Sequence, residues 1–405
     1  MAREDVVILS GARTPMAEWV GGRAGDGRPG GAFKDVSALD LGAAAAKAAL
    51  ERSRVSPDVI DHVIMGNALQ TSGDALYGAR HVALKAGVPV PVPALTVNRL
   101  CGSGIQSVIS AAQMLLLGEA SFVLAGGMEN LSQAPFVIRG ARSGLRLGQP
   151  AFEDALMASL RDTFCGLYMA ETSDNLARRY RISREDQDAF ALRSITEGKR
   201  AIESGVLAEE IVPVALPGKE ARKVEKDDHC FLAATPEGLA KLPPAFGKES
   251  FVTAGNASGI VDGGAALVVT TARHAEKRDL APMGRLVSWA VTGVDPDTMG
   301  IGPVPASRAA LKLAGLSVED VDLFEINEAF SGQYLAVERE LGNPRERTNV
   351  NGGAIALGHP LGATGTRLLL TLLHELRRRK ERWGVASACI GGGQGIAAVV
   401  EAYPA

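Results

Sequence analysis

Short apolar runs rich in Val, Ile and Ala recur along the chain, separated by longer Ala- and Leu-rich stretches whose apolar residues return at helical spacing. Runs of about four to eight such residues, bounded by Gly, Pro or charge, fit strands buried on both faces. Residues 6–9, 62–65, 94–97, 122–125, 265–270, 284–291, 323–326 and 385–388 read this way. Their alternation with helical patterns predicts an α/β protein with buried sheets.

The pattern changes between about residues 130 and 250, where the chain becomes charged and helical, as in DNLARRYRISREDQDAFALRSITEGKRAIES. This segment, 130–250, is expected to be an inserted, mostly helical domain. It would divide an N-terminal half (1–129 with 251–283) from a C-terminal half (284–405). The halves themselves resemble each other. VSPDVIDHVIMGNAL (55–69) aligns without a gap to LSVEDVDLFEINEAF (316–330), and CGSG (101–104) then matches GATG (362–365) at a similar offset, each before a helical pattern. A duplicated strand, Gly-rich turn and helix follow from this, against coincidental similarity between two α/β units.

The composition narrows the function classes. Forty-three basic and forty-six acidic residues give a net charge of −3, with no global positive field for nucleic acid. The run RRRK (377–380) reads as the solvated last turn of a helix, where cations suit the dipole. Apolar runs are broken before the roughly 20 residues of a membrane span, and the first residues already read as a strand, not a leader. A cytoplasmic location is the expectation. Cys101, Cys165, Cys230 and Cys389 are too scattered for a disulfide framework and lack zinc spacing, so no metal is expected. A cysteine that matters here matters as a thiol.

Four stretches carry candidate chemistry. In ALTVNRLCGSGIQSVISAAQMLLLG, Cys101 stands between a strand and a helix, flanked by Gly102 and Gly104, which leave room for a substrate. At a helix N-terminus, backbone amides and the dipole stabilise a thiolate, so the thiol pKa is expected to fall. The alternative is a buried cysteine serving as a small hydrophobe. In VNGGAIALGHPLGATG, His359 is set in a glycine-rich loop ahead of a helix, suited to activating a nucleophile; a satisfied loop histidine is the alternative. In ASACIGGGQG, Cys389 ends a strand. The following glycines suggest a phosphate loop, but too little chain remains for a βαβ unit. A second thiol, with an ordinary pKa near 8.5, suits removal of a proton from carbon better than a carboxylate does. In INEAF, Asn327 can donate to an oxyanion or hold a water that does, and Glu328 is either a base or an orienting group.

These stretches, with GGMEN, SQAP, TAGNASG (253–259) and GIGPVPA in the same order, resemble the thiolase family across nearly the whole chain. The resemblance implies a five-layered αβαβα fold of two similar halves, with the insert as a loop domain over the site. It also implies cleavage of 3-ketoacyl-CoA or condensation of two acetyl-CoA, with coenzyme A as substrate and no permanently bound cofactor. Cys101 would be the nucleophile, and His359 its activator and, with a water on Asn327, one oxyanion hole. Cys389 would move the α-proton, the amides of Cys101 and Gly391 would form a second oxyanion hole, and Glu328 would order the network. Ser258, Gly259, Ala329 and Phe330 would line the coenzyme A tunnel, and Met299 would close the acyl pocket. Homodimers or homotetramers are the family's assemblies.

Two departures stand out. Tyr168 falls where acetoacetyl-CoA thiolases often carry a histidine, which questions transfer of that coenzyme A contact. The Gly-rich run at 20–31 is longer than usual and is expected to be a surface loop. Motif details leave short-chain and broad-chain specificity open, with short substrates slightly ahead. The rivals are an acyl-carrier-protein-dependent ketosynthase, opposed by CIGGG and NEAF, and a non-catalytic acyl-CoA or lipid binder, opposed by the intact Cys101, His359, Asn327 and Cys389.

Overall fold

The structure, a computed structural model, describes residues 4–19, 30–148, 151–218, 222–229 and 234–404. Most of the glycine-rich run, and Cys230, lie outside the described residues.

The elements that place the site begin with β1 (Val6–Arg13), α1 (Ala38–Ser53), β2 (His62–Gly66) and α2 (Gly78–Lys85). Then come β3 (Ala94–Val97), α3 (Ser103–Leu117) and β4 (Phe122–Glu129). The segment after Asn130 carries α4 (Met169–Tyr180) and α5 (Arg184–Glu203), and the sheet resumes with β5 (Val261–Thr271) and β6 (Gly284–Gly293). α6 (Pro303–Ala314), β7 (Leu323–Ile326), α7 (Ser331–Leu341), α8 (Leu361–Arg379), β8 (Trp383–Ile390) and β9 (Gln394–Ala402) complete it. All eight strand expectations fall on strands. β9 was not foreseen, because its residues follow the glycines that were weighed as a phosphate loop.

Strand order is β7-β8-β9-β6-β1-β5-β4-β2-β3. The halves join where Val6, Val7 and Ile8 of β1 pair antiparallel with β6. Each half has a parallel outer part, β3-β2-β4 in one and β7-β8 in the other.

Side-chain alternation along these strands builds the layers. On β1, Val6 and Ile8 enter the central cluster, whereas Val7 and Leu9 enter an outer one against α1 and α2. On β9, Ile396, Ala398 and Val400 face the centre, and Ala397 and Val399 face an outer cluster with α6 and α7. The central cluster is filled by Ile105, Val108, Ile109 and Leu115 of α3 and Leu368, Leu369, Leu372 and Leu376 of α8. The result is helix, sheet, helix, sheet, helix: the five-layered αβαβα arrangement. One stretch among the described residues, Leu100–Leu117, has the length and hydropathy of a membrane span. Its apolar side chains are largely those of the central layer.

The duplication is visible in how the central helices meet. A Cβ on Gly104 would stand 2.4 Å from the Thr366 backbone N, and one on Gly365 2.4 Å from the Ile105 N. Gly104 and Gly365 correspond under the sequence offset of roughly 260 residues, so each presses on the other's neighbour as a pseudo-twofold axis requires. Elsewhere in a helix, Gly→Ala stabilises by about 1 kcal/mol. Here the added methyl meets backbone, and Gly104→Ala is expected to destabilise by about 1–3 kcal/mol. A lower melting temperature by circular dichroism is the expected result; a rise would show that the helices are not in this contact.

Candidate active site

The loops at the carboxyl ends of the parallel strands converge, which is where open α/β sheets place their ligand sites. After β3, the chain turns through a 3₁₀ segment, Leu100–Gly102, into α3. Leu100 is in the left-handed region (φ 46°), a costly conformation for a branched residue. Its N–H donates to Asn98 Oδ1 (2.9 Å), and its carbonyl accepts from Ser103 Oγ (2.7 Å). This elbow holds Cys101, which keeps partial solvent access. A Cβ on Gly102 would lie 2.5 Å from Ile390 Cδ1, so the corner rests against the end of β8.

The amides of Gly391 and of Cys101 itself point at the Cys101 sulfur. They pull the thiol pKa down, but burial outweighs them and pushes it up to about 11. This corrects the expectation of a lowered pKa, because the helix terminus was considered without the protein packed around it. The resting group is a thiol. Cys389, buried near the end of β8, packs with Met299 and Ala329. Burial first, and then the neighbouring Cys101, hold its thiol well above the usual range.

His359 follows a short helix, Ala354–Leu357, and Gly358 at φ 88°. A Cβ on Gly358 would fall 2.2 Å from Val261 Cγ1, so the approach requires glycine. The His359 N–H donates to the Gly259 carbonyl (3.0 Å). Thr364 Oγ1 donates its proton to the Pro360 carbonyl (3.1 Å) and stands 2.6 Å from His359 Nδ1. With the hydroxyl proton on that carbonyl, Nδ1–H donates to Oγ1 and Nε2 is the bare nitrogen, the tautomer that also accepts from Asn327. Asn327 Nδ2 faces that nitrogen at 3.4 Å. Burial, with the nearby Arg367 cation, pushes the His359 pKa down to about 3, so the ring is neutral. Neither a lone thiolate nor a lone imidazolium is stable at this depth; proton transfer would create the two charges together.

Glu328 does not face the thiols. Its carboxylate accepts from Ser194 Oγ (2.6 Å), Asn349 Nδ2 (2.7 Å) and the Ile355 N–H (3.2 Å), and fills the space a Gly353 side chain would need. Burial raises its pKa, opposed by Ser194 and Asn349. It thus ties α5 to the loop that carries His359, which favours the orienting alternative over a base.

A cavity of ≈ 150 Å³ opens beside His359, lined by Tyr168, Ser258, Gly259 and Phe330 together with Leu131, Leu156, Leu160, Met169 and Phe246. The Ser258 N–H donates to the Ala329 carbonyl (3.0 Å), joining the TAGNASG and NEAF segments. Tyr168 stands at the start of α4, its ring 5.6 Å from Phe246 and 5.7 Å from the Arg161 guanidinium. Met299 packs with Cys389 and Ala329, next to the cavity-lining Met169 and Phe330. Among the described residues no cluster could hold a metal ion.

Two family models cover the chain: thiolase N-terminal domain over residues 6–273 and thiolase C-terminal domain over 280–402. The chain belongs to the thiolase family. It is 49% identical over 398 residues to human mitochondrial 3-ketoacyl-CoA thiolase, covering 98% of each chain. It is 45% identical to the acetyl-CoA acetyltransferase of Syntrophomonas wolfei, over 99% of this chain and all of the relative. The crystal structure of the human enzyme in complex with CoA superimposes with a TM-score of 0.94 at 48% identity, covering 99% of this chain and 98% of that one.

Within this thiolase-family site, several contributors were not legible. Leu156 and Leu160 sit on and beside a five-residue helix, Ala155–Ser159, in the charged stretch after Asn130. His229 packs its ring where a Gly259 Cβ would be and lies 3.3 Å from Glu18 Oε1. Thr364 had a sequence signal, being the hydroxyl one helical turn after His359.

Proposed function

We propose that the protein is a thiolase acting through an acyl-Cys101 intermediate, cleaving 3-ketoacyl-CoA with coenzyme A or condensing two acetyl-CoA. The observation that supports this reading is a Cys101 thiol under two backbone amides beside the buried Cys389 thiol, with a buried neutral imidazole, His359, that faces Asn327 and lines the cavity. Coenzyme A enters as substrate, its pantetheine arm along the cavity lined by Ser258, Gly259, Phe330 and Tyr168.

In the degradative direction, Cys101 Sγ attacks the keto carbon while His359 Nε2 takes the thiol proton. The keto oxygen, which stays on the acyl carbon, is received by the Cys101 and Gly391 amides, while donors on Asn327 and His359 meet the thioester oxygen, where the enolate charge develops. The C2–C3 bond then breaks, its electron pair leaves on acetyl-CoA as an enolate, and Cys389 protonates that carbon. A thiol held above its usual pKa is a competent donor to an enolate and, once deprotonated, a strong enough base for the reverse step. The thiol of coenzyme A finally gives its proton to the Cys389 thiolate and attacks the acyl-Cys101 carbonyl, whose oxyanion the Cys101 and Gly391 amides receive, and Cys101 leaves, taking its proton back from His359. The cycle is ping-pong.

Short-chain substrates are the first reading. A broad-chain 3-ketoacyl-CoA thiolase is the second, favoured by the higher identity to the human enzyme. The test is kcat/KM for CoA-dependent cleavage of acetoacetyl-, 3-ketohexanoyl- and 3-ketohexadecanoyl-CoA. Sharp preference for acetoacetyl-CoA supports the first, equal or better use of longer chains supports the second, and no cleavage of any contradicts both. We also propose a homodimer or homotetramer: β3 ends the sheet, and Leu95, Leu76, Tyr77 and Val90 are exposed around it.

A further inference from the structure

Glu129, the last residue of β4, is buried in the middle of the molecule, and its hydrogen-bond partners are all N–H groups. Oε1 accepts from Asn67 Nδ2 (2.8 Å) and the Leu69 N–H (3.0 Å), and Oε2 from the Ala68 N–H (3.0 Å) and the Gly362 N–H (2.8 Å). Both oxygens are saturated. Three donors belong to the turn after β2. The fourth opens α8, three residues beyond His359, where a carboxylate also suits the helix dipole.

The backbones around it are in contact that only glycine permits. A Cβ on Gly127 would lie 1.8 Å from the Gly362 carbonyl oxygen, and one on Gly362 2.5 Å from that of Met128. The linkage continues on the other side. The Ala68 carbonyl accepts from Asn98 Nδ2 (2.9 Å), and Asn98 Oδ1 accepts from the N–H of Leu100, the left-handed residue before Cys101. A continuous path therefore runs from the His359 loop through Gly362, Glu129, Ala68 and Asn98 to the Cys101 elbow. An apolar residue at 129 could fill the space but could not join these loops.

We propose that Glu129 is a positioning residue that fixes the Cys101 elbow relative to the His359 loop, through Gly362 on one side and Ala68 with Asn98 on the other. The inference rests on the roles given to Cys101 and His359 above. Reacting groups must be held near contact, and misplacement by about 1 Å costs about a hundredfold in rate. His359, Leu361 and Leu131 of the cavity wall lie near this linkage, but most of the wall, Leu156, Tyr168 and Phe246 included, hangs from other segments, so substrate binding should be largely spared.

Glu129→Gln keeps the shape but turns one acceptor position into a donor facing an N–H. Single-turnover acetylation by acetyl-CoA is measured in the full chain, with the melting temperature alongside. The expected result is acetylation of Cys101 slowed by about ten- to a hundredfold at unchanged half-saturating acetyl-CoA. Asn98→Ala, at an exposed position, should slow it in the same way, and the double variant should be no slower than the worse single, because both interrupt one linkage. Wild-type rates in folded Glu129→Gln, or multiplying effects in the double variant, overturn the proposal. If Glu129→Gln does not fold, Asn98→Ala decides alone: an unchanged acetylation rate overturns it. Failure of the unsubstituted protein to acetylate Cys101 at all would instead remove the reading of the site.

Discussion

In Cys389→Ala, acetyl-CoA still acetylates Cys101, while acetoacetyl-CoA synthesis falls by about a thousandfold. The two half-reactions differ in one demand: only condensation removes a proton from carbon. Acyl transfer to Cys101 needs the nucleophile, its base and the oxyanion donors, none of which Cys389 supplies. Cys389 is buried against Met299 and Ala329, and burial holds its thiol above the usual range. General acid–base groups contribute about 10²–10⁴ in rate, which sets the expected size. Stopped acetylation by radiolabelled acetyl-CoA, compared with the condensation assay, reads both steps on one sample. Equal loss of the two would contradict the division of labour between the thiols.

His359→Ala should lose both half-reactions, each by about a thousandfold or more, because the imidazole serves before the paths diverge. The Cys101 thiol, at about 11, is scarcely ionised at neutral pH and needs a base to react. The substitution also removes the ring anchored by Thr364 and the acceptor facing Asn327 Nδ2. Adding imidazole to the variant should restore part of the acetylation rate, since the deleted ring leaves a space of its own shape. Retention of wild-type acetylation would remove His359 from the mechanism.

The layered fold was legible because its strands are short, apolar and buried on both faces, leaving runs such as 122–125 and 385–388 conspicuous between helical patterns. The duplication was legible for the same reason that α3 and α8 touch: the glycines that let them meet are themselves repeated. β9 was obscured by the glycines that precede it, since the turn at Gly392 and Gly393, both with positive φ, can serve a hairpin as readily as a ligand. The Cys101, His359 and Cys389 motifs stand out locally, but their electrostatics do not. The lowered pKa expected for Cys101 came from its place before a helix, and burial, a property of the whole fold, reversed its sign. Glu129 was passed over within GGMEN because its partners lie in two distant stretches of chain, at 67–69 and at Gly362. Leu156, Leu160 and Phe246 were hidden in a polar insert, where apolar residues facing a cavity look like ordinary core.

The most direct test of the account is to locate the covalent intermediate. The protein is mixed with acetyl-CoA, quenched in acid, digested and mapped by mass spectrometry. An acetyl thioester on Cys101, discharged on adding coenzyme A, is the predicted result. An acetyl group on Cys389, or turnover that proceeds with Cys101 unmodified, would contradict it.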